Sequence, residues 1–204
     1  MVLRPSFAIL IAVSALYVPR IAAQSGQPQG PPIPYEDAGA CPFEGCVYRE
    51  WIANAPVVVK TSRRNDALIA FRLQKGERVQ AITGVVVTEK PGRAQFRTAV
   101  DLTAYPHTSD RPQPQSIHIE PGDTLFLLTY RGEGETAAWF KGRLYDAVDA
   151  SDLFNSACTD NRKSCAGHII DNPASVWWIQ LKNKAGLIGW TKEADKFDNK
   201  DALG

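Results

Sequence analysis

The chain is poor in the groups on which enzymatic and nucleic-acid chemistry usually depend. It has three histidines, His107, His118 and His168, and no G-x-S-x-G arrangement around its serines. Neither a nucleophile beside a base nor a hydrolase elbow is therefore visible, and no catalytic residue is expected. Basic excess is also missing, because 23 Lys and Arg stand against 22 Asp and Glu and are interleaved with them. A nucleic-acid binder concentrates positive charge on one face or stretch, so nucleic acid is not an expected partner. The apolar run from Phe7 to Val18 is too short for a membrane-spanning helix, and Pro19 and Arg20 close it.

What the N-terminus does contain is Arg4, that apolar run, and the small residues of Ile21-Ala22-Ala23. This is the layout of a secretory signal peptide over residues 1–23, with cleavage after Ala23, and it predicts a periplasmic or extracellular protein. No cysteine follows the run to accept a lipid anchor. Cleavage would remove Arg4 and Arg20 and no acid, leaving a nearly neutral chain with no stable membrane span. Residues 24–39 open with Gln, Gly and Pro and lack aliphatic periodicity, which predicts a flexible spacer.

Four cysteines fall as two close pairs, Cys41 with Cys46 and Cys158 with Cys165. In an exported chain an even count predicts disulfides, and of the three connectivities pairing within each cluster is the simplest. Zinc ligation by these cysteines with His168 is disfavoured, because paired zinc cysteines use tighter gaps and an oxidising compartment favours disulfides. No metal and no cofactor is expected.

One short β-pattern is written twice. Leu73-Gln74-Lys75-Gly76-Glu77-Arg78-Val79 returns as Ile119-Glu120-Pro121-Gly122-Asp123-Thr124-Leu125, each a turn ending in Gly plus an acid that feeds an apolar strand. Further on, Trp177-Trp178-Ile179-Gln180-Leu181 runs through Asn183-Lys184-Ala185-Gly186 into Leu187-Ile188-Gly189-Trp190, a hairpin closed by a tryptophan. Between the repeats, residues 105–115 carry three prolines and mark a boundary. Asp149 to Phe154 predicts a short helix capped by Asp149 or Ser151.

With its tryptophan strand, Gly-containing turn and closing Gly189-Trp190, the C-terminal part resembles the end of a bacterial SH3-like (SH3b) domain, and the two turn-and-strand stretches resemble that family's earlier turn. The resemblance implies an all-β protein of one or two small SH3-like barrels: a degenerate unit over 40–104, a linker over 105–115, a second unit over 116–197 with an insertion at 146–173, and a polar tail over 198–204. The first copy departs from the family in lacking its own tryptophan ending. The implied function is a non-enzymatic binding or scaffolding module of the cell envelope, with cell-wall glycan or peptide, or an envelope protein, as partner.

Tyr130, Trp139, Tyr145, Trp177 and Trp178 are the candidate ligand-binding residues. Trp177 and Trp178 are strand neighbours and so point to opposite faces, one of them away from the core. Either that tryptophan stacks on a ligand, or another part of the chain covers it. The competing readings are an enzyme or inhibitor acting through the 146–173 insertion, marked by polar groups converging on His168 and Asp171, and a structural partner marked by a flat apolar patch.

Overall fold

A computed structural model describes residues 29–108, 113–154 and 165–203. The chain is nearly all β, with strands that curl into a half-barrel sheet. The strands are β1 (Tyr35–Ala38), β2 (Glu50–Ala53), β3 (Val57–Lys60), β4 (Ile69–Leu73), β5 (Arg78–Lys90), β6 (Gly92–Phe96), β7 (Val100–Pro106), β8 (Gln115–Ile119), β9 (Thr124–Gly132), β10 (Glu135–Phe140), β11 (Arg143–Asp149), β12 (Gly167–Asp171), β13 (Ala174–Lys182), β14 (Ile188–Thr191) and β15 (Phe197–Asp198). A single helical turn, α1 (Ser151–Phe154), precedes β12, and a 3₁₀ turn at Ala194–Lys196 precedes β15. The expected cap is present, since the Asp149 carboxylate accepts the Ser151 N–H at 3.1 Å.

The strands form two sheets. The first runs β15-β2-β5-β13-β14-β3-β4, with β1 added on β5, and the second runs β12-β6-β9-β10-β11-β7-β8. The two orders match strand for strand. Each sheet is made of an opening strand, a hairpin, the Gly-acid turn, a long strand, a second hairpin, a helical turn and a short last strand. Each also has its own apolar cluster. Trp51, Val59, Ile179, Leu181 and Phe197 lie at the centre of the first, and Leu125, Leu127, Ala138, Tyr145 and Val148 at the centre of the second.

The doubled motif folds the same way twice. Gly76 and Gly122 take φ of 87° and 88°, a left-handed setting that suits glycine at the third position of a turn. The carboxylate that follows closes each turn on itself: Glu77 accepts the Gln74 N–H at 2.5 Å and Asp123 accepts the Glu120 N–H at 2.9 Å. Both glycines then donate to the opening strand of their own sheet, Gly76 to Ala53 O and Gly122 to Phe96 O.

The units do not follow one another along the chain as expected. The Trp177–Trp190 hairpin forms, with Gln180 opposite Trp190 and Leu181 opposite Gly189, but β13 pairs along nearly the whole of β5 and β14 pairs β3. The tryptophan hairpin therefore completes the first copy of the motif. The second copy, residues 92–171, is inserted between β5 and β13. Residues 105–115 accordingly separate nothing, because β7 and β8 on either side pair with each other, Val100 opposite Ile119 and Ala104 opposite Gln115. What was expected as an insertion at 146–173 supplies the end of β11, α1 and β12, and β12 pairs β6. At the junction the two connections run side by side, with Lys90 opposite Ala174 and Arg93 ion-paired to Asp171 at 2.5 Å.

Two more expectations change. Residues 35–38 of the expected spacer are β1, in register with Val85–Thr88 of β5. The expected polar tail is also built in: Val47 N–H donates to Lys200 O, Ala202 N–H donates to Gly45 O, and Arg49 donates to Asn199 O and Asp201 O. In both segments backbone pairing supplies the hold, and a polar composition does not prevent it. Cys41 and Cys46 are disulfide-bonded with Cα atoms 5.6 Å apart. Cys165 is disulfide-bonded as well, whereas Cys158, like the expected signal peptide, lies outside the described residues. Among the described residues, no helix is long and apolar enough to cross a membrane.

Candidate functional site: a tryptophan groove under the 61–67 loop

Alternation along β13 sends Trp177 and Trp178 to opposite faces. Trp177 turns toward the first core, edge-on to Trp51 at 5.9 Å, and its indole N–H donates to the Tyr48 hydroxyl at 3.2 Å. Phe43, held inside the Cys41–Cys46 loop, packs edge-on against its outer side at 5.9 Å. Tyr48 in turn donates to Ala40 O, and burial pushes its hydroxyl pKa up to about 12. The small disulfide loop is thus a lid on this end of the core, and Trp177 is a packing residue.

Trp178 faces the other way and is still only 7% exposed. It forms the floor of an open groove of about 740 Å³ between the outer face of the first sheet and the loop joining β3 to β4. Val87 and Val176 extend the floor, while Glu36, Glu89 and Lys192 stand at the rim. A smaller adjoining hollow brings in Trp190, which sits beside Trp178 across the β13–β14 hairpin.

The loop is fastened across this face. Thr61 N–H donates to Leu68 O at 2.8 Å, Ala67 N–H donates to Arg64 O at 3.2 Å, and the Lys60 ammonium donates to Asn65 O. Arg63 reaches back from the loop over Trp190, its guanidinium 5.6 Å from the ring centroid, and bonds Glu36 of β1 at 2.9 Å. Arg64 grips Asp66 through two bonds of 2.9 and 2.7 Å, which hold the Asp66 carboxyl below its ordinary pKa. Lys192 lies 6.0 Å from the Trp178 ring and makes no ion pair among the described residues. The groove therefore offers two indoles, aliphatic floor and a cation able to meet a carboxylate, which is chemistry for holding a ligand.

The other candidates do not join it. Tyr145 is in the second core. Tyr130 packs edge-on against Phe154 at 5.7 Å, and Trp139 donates its indole N–H to Gln29 O at 2.9 Å. Only Trp178 of the five lines this groove. Trp190, Arg63 and Lys192 were missed, although Lys60, Arg63, Arg64 and Asp66 around a short turn gave a charged-loop signal beside the strand.

The histidines are apart. His107 bonds Asp146 at 2.6 Å, and His118 bonds its cross-strand neighbour Asp101 at 2.8 Å, which raises the His118 pKa. Asp171 is engaged by Arg93 and does not meet His168. Among the described residues no three His, Cys, Asp or Glu side chains are placed to hold a metal. Compared with protein-family models, with curated proteins and with solved structures, the chain matches none.

Proposed function

We propose that this chain is an exported, non-enzymatic module of the cell envelope, built of two SH3-like units, that binds cell-wall glycan or peptide in the tryptophan groove. The observation that carries the reading is the juxtaposition of Trp178, Trp190 and Lys192 beneath a loop that Arg63 and Lys60 hold in place. The SH3-like assignment is supported by the shared strand order, the repeated Gly-acid turn feeding the long strand, and the helical turn before each last strand. Charges in the groove are arranged to hold and orient, with Arg63 and Arg64 already satisfied by Glu36 and Asp66.

The test is co-sedimentation of the mature protein with purified cell wall, repeated for Trp178→Ala and Trp190→Ala after circular dichroism shows each to be folded. Stacking on one aromatic ring contributes about 1–1.5 kcal/mol, so each variant should bind roughly tenfold more weakly. A native protein that stays in the supernatant rules out the wall as ligand. Unchanged binding by both variants rules out the groove.

A further inference from the structure

The N-terminal segment Gln29–Ala38 crosses the outer face of the second sheet and then joins the first. Its path is marked by four kinds of contact. The Trp139 indole donates to Gln29 O at 2.9 Å, and the Phe126 ring stands 3.7 Å from where a Cβ on Gly30 would be. At the other end Asp37, 5% exposed, is ion-paired to Arg131 of β9 at 2.8 Å. Residues 35–38 meanwhile add an antiparallel strand to Val85–Thr88.

That face is the outer one. Trp139 and Phe126 are cross-strand partners, while their neighbours Ala138, Phe140, Leu125 and Leu127 fill the second core. By strand order it corresponds to the face of the first sheet on which the open groove lies. One unit shows this surface open, and the other shows it met by the start of the Gln29–Ala38 segment of the same chain.

The covering segment is held as a ligand would be. None of its residues belongs to either apolar cluster, and its one large aliphatic side chain, Ile33, is 42% exposed. An indole N–H to a main-chain carbonyl, a ring on a glycine, a cation on a carboxylate and strand addition to an edge make up the contacts of a peptide-recognition site. Beyond it, Gly39 takes φ of +80° and its N–H donates to Gly84 O at 2.8 Å, where the pairing with β5 ends.

We infer that the outer face of β9 and β10, together with the Val85–Thr88 edge of β5, is a second binding site, specific for an extended peptide that carries a glycine or proline stretch followed by a carboxylate. In this structure the chain's own Gln29–Ala38 fills it. An incoming segment of the same chemistry would pair with β5, place its carboxylate on Arg131 and offer a carbonyl to Trp139. This site is independent of the tryptophan groove and of what that groove binds.

The test inserts a specific protease site between Gly39 and Ala40 of the full chain. After cleavage, the protein is titrated with a fluorescent synthetic peptide of residues 29–38, read by anisotropy, with mass spectrometry following release of the original segment. Saturable exchange is expected, while near-ultraviolet circular dichroism of the folded body is retained. The Asp37→Lys peptide, which sets a second cation against Arg131, should bind at least tenfold more weakly, and Arg131→Ala in the protein should narrow that difference. Failure to exchange, or unfolding once the segment leaves, would show an integral strand and overturn the inference. Equal binding of the two peptides would overturn the carboxylate specificity.

Discussion

Removing residues 91–173 and joining Lys90 to Ala174 through Asn-Gly should leave a folded protein. Lys90 and Ala174 are already opposed in the β5–β13 ladder, so a two-residue type I′ turn can close them into an ordinary hairpin. The first core survives intact, because Trp51, Ile179, Leu181 and Phe197 all lie outside the excised stretch. What is lost is the seam between the units. The Thr88 hydroxyl loses Leu128 O, at about 1 kcal/mol, and Asp37 loses Arg131. Excision also returns Asp37 to water, which relieves the penalty of an orphaned buried charge, so the combined loss should be about 1–3 kcal/mol. Stopping the chain after residue 104 has the opposite result. That truncation removes Ile179, Leu181 and Phe197, each at most 1% exposed, worth together about 7–15 kcal/mol. A domain is stable by only about 5–15 kcal/mol, so the truncated chain should not fold. Urea unfolding followed by tryptophan fluorescence distinguishes the two. A cooperative transition for residues 24–104, with none for the excised chain, would refute the inserted topology.

Reducing the first disulfide in effect, by Cys41→Ser with Cys46→Ser, should destabilise by about 2 kcal/mol, since the closed loop is short, and should raise acrylamide quenching as Phe43 leaves Trp177. Gly92→Ala should cost about 1–3 kcal/mol in urea unfolding, because a Cβ there meets Asp171 O at 2.8 Å and the Pro173 ring at 2.7 Å, where the two connections pass. Carboxyl titration by NMR should place Asp37 above the ordinary value of 3.8, from burial, and Asp171 below it, from its bond to Arg93. The signs oppose each other. Asp37's contribution to stability is full below 3.8 and is lost as pH rises through its folded value, whereas Asp171's is present above 3.8 and is lost as pH falls through its folded value. Asp37→Asn should therefore remove a gain in stability on acidification and leave the Asp171 loss in place.

The features legible in the sequence are those closed by residues near one another in the chain. Gly76-Glu77 and Gly122-Asp123 complete their turns with partners three residues away, and the Trp177–Trp190 hairpin needs only its own turn. Opposite facing of Trp177 and Trp178 follows from the pleat alone. Which strand the hairpin then pairs with is a different kind of information. β5 and β9 present similar apolar edges, and nothing local in Trp178-Ile179-Gln180-Leu181 prefers the more distant one. The choice is made by an end-to-end fit: β13 has nine residues to lay along a thirteen-residue β5, while β9 is already paired by β6 and β10. Because the second unit's own first and last strands, β6 and β12, are neighbours in its sheet, its two ends emerge together and can be spliced into a hairpin connection without disturbing either core.

The same limit hid the N-terminal segment and the groove. Tyr35-Glu36-Asp37-Ala38 has no aliphatic side chain larger than alanine, and its strand exists because the Val85–Thr88 edge and Arg131 supply backbone partners and a counter-charge from far along the chain. Arg63 likewise reads as a turn residue until Glu36 and Trp190 flank it. Both the open groove and the covered face are thus assembled from one strand face, one cation and one segment distant in sequence. The nesting of the second unit between β5 and β13 explains why they differ. The N-terminal segment leads into β1, which lies on β5 beside the inserted sheet, so it can reach the outer face of the second unit but leaves that of the first uncovered.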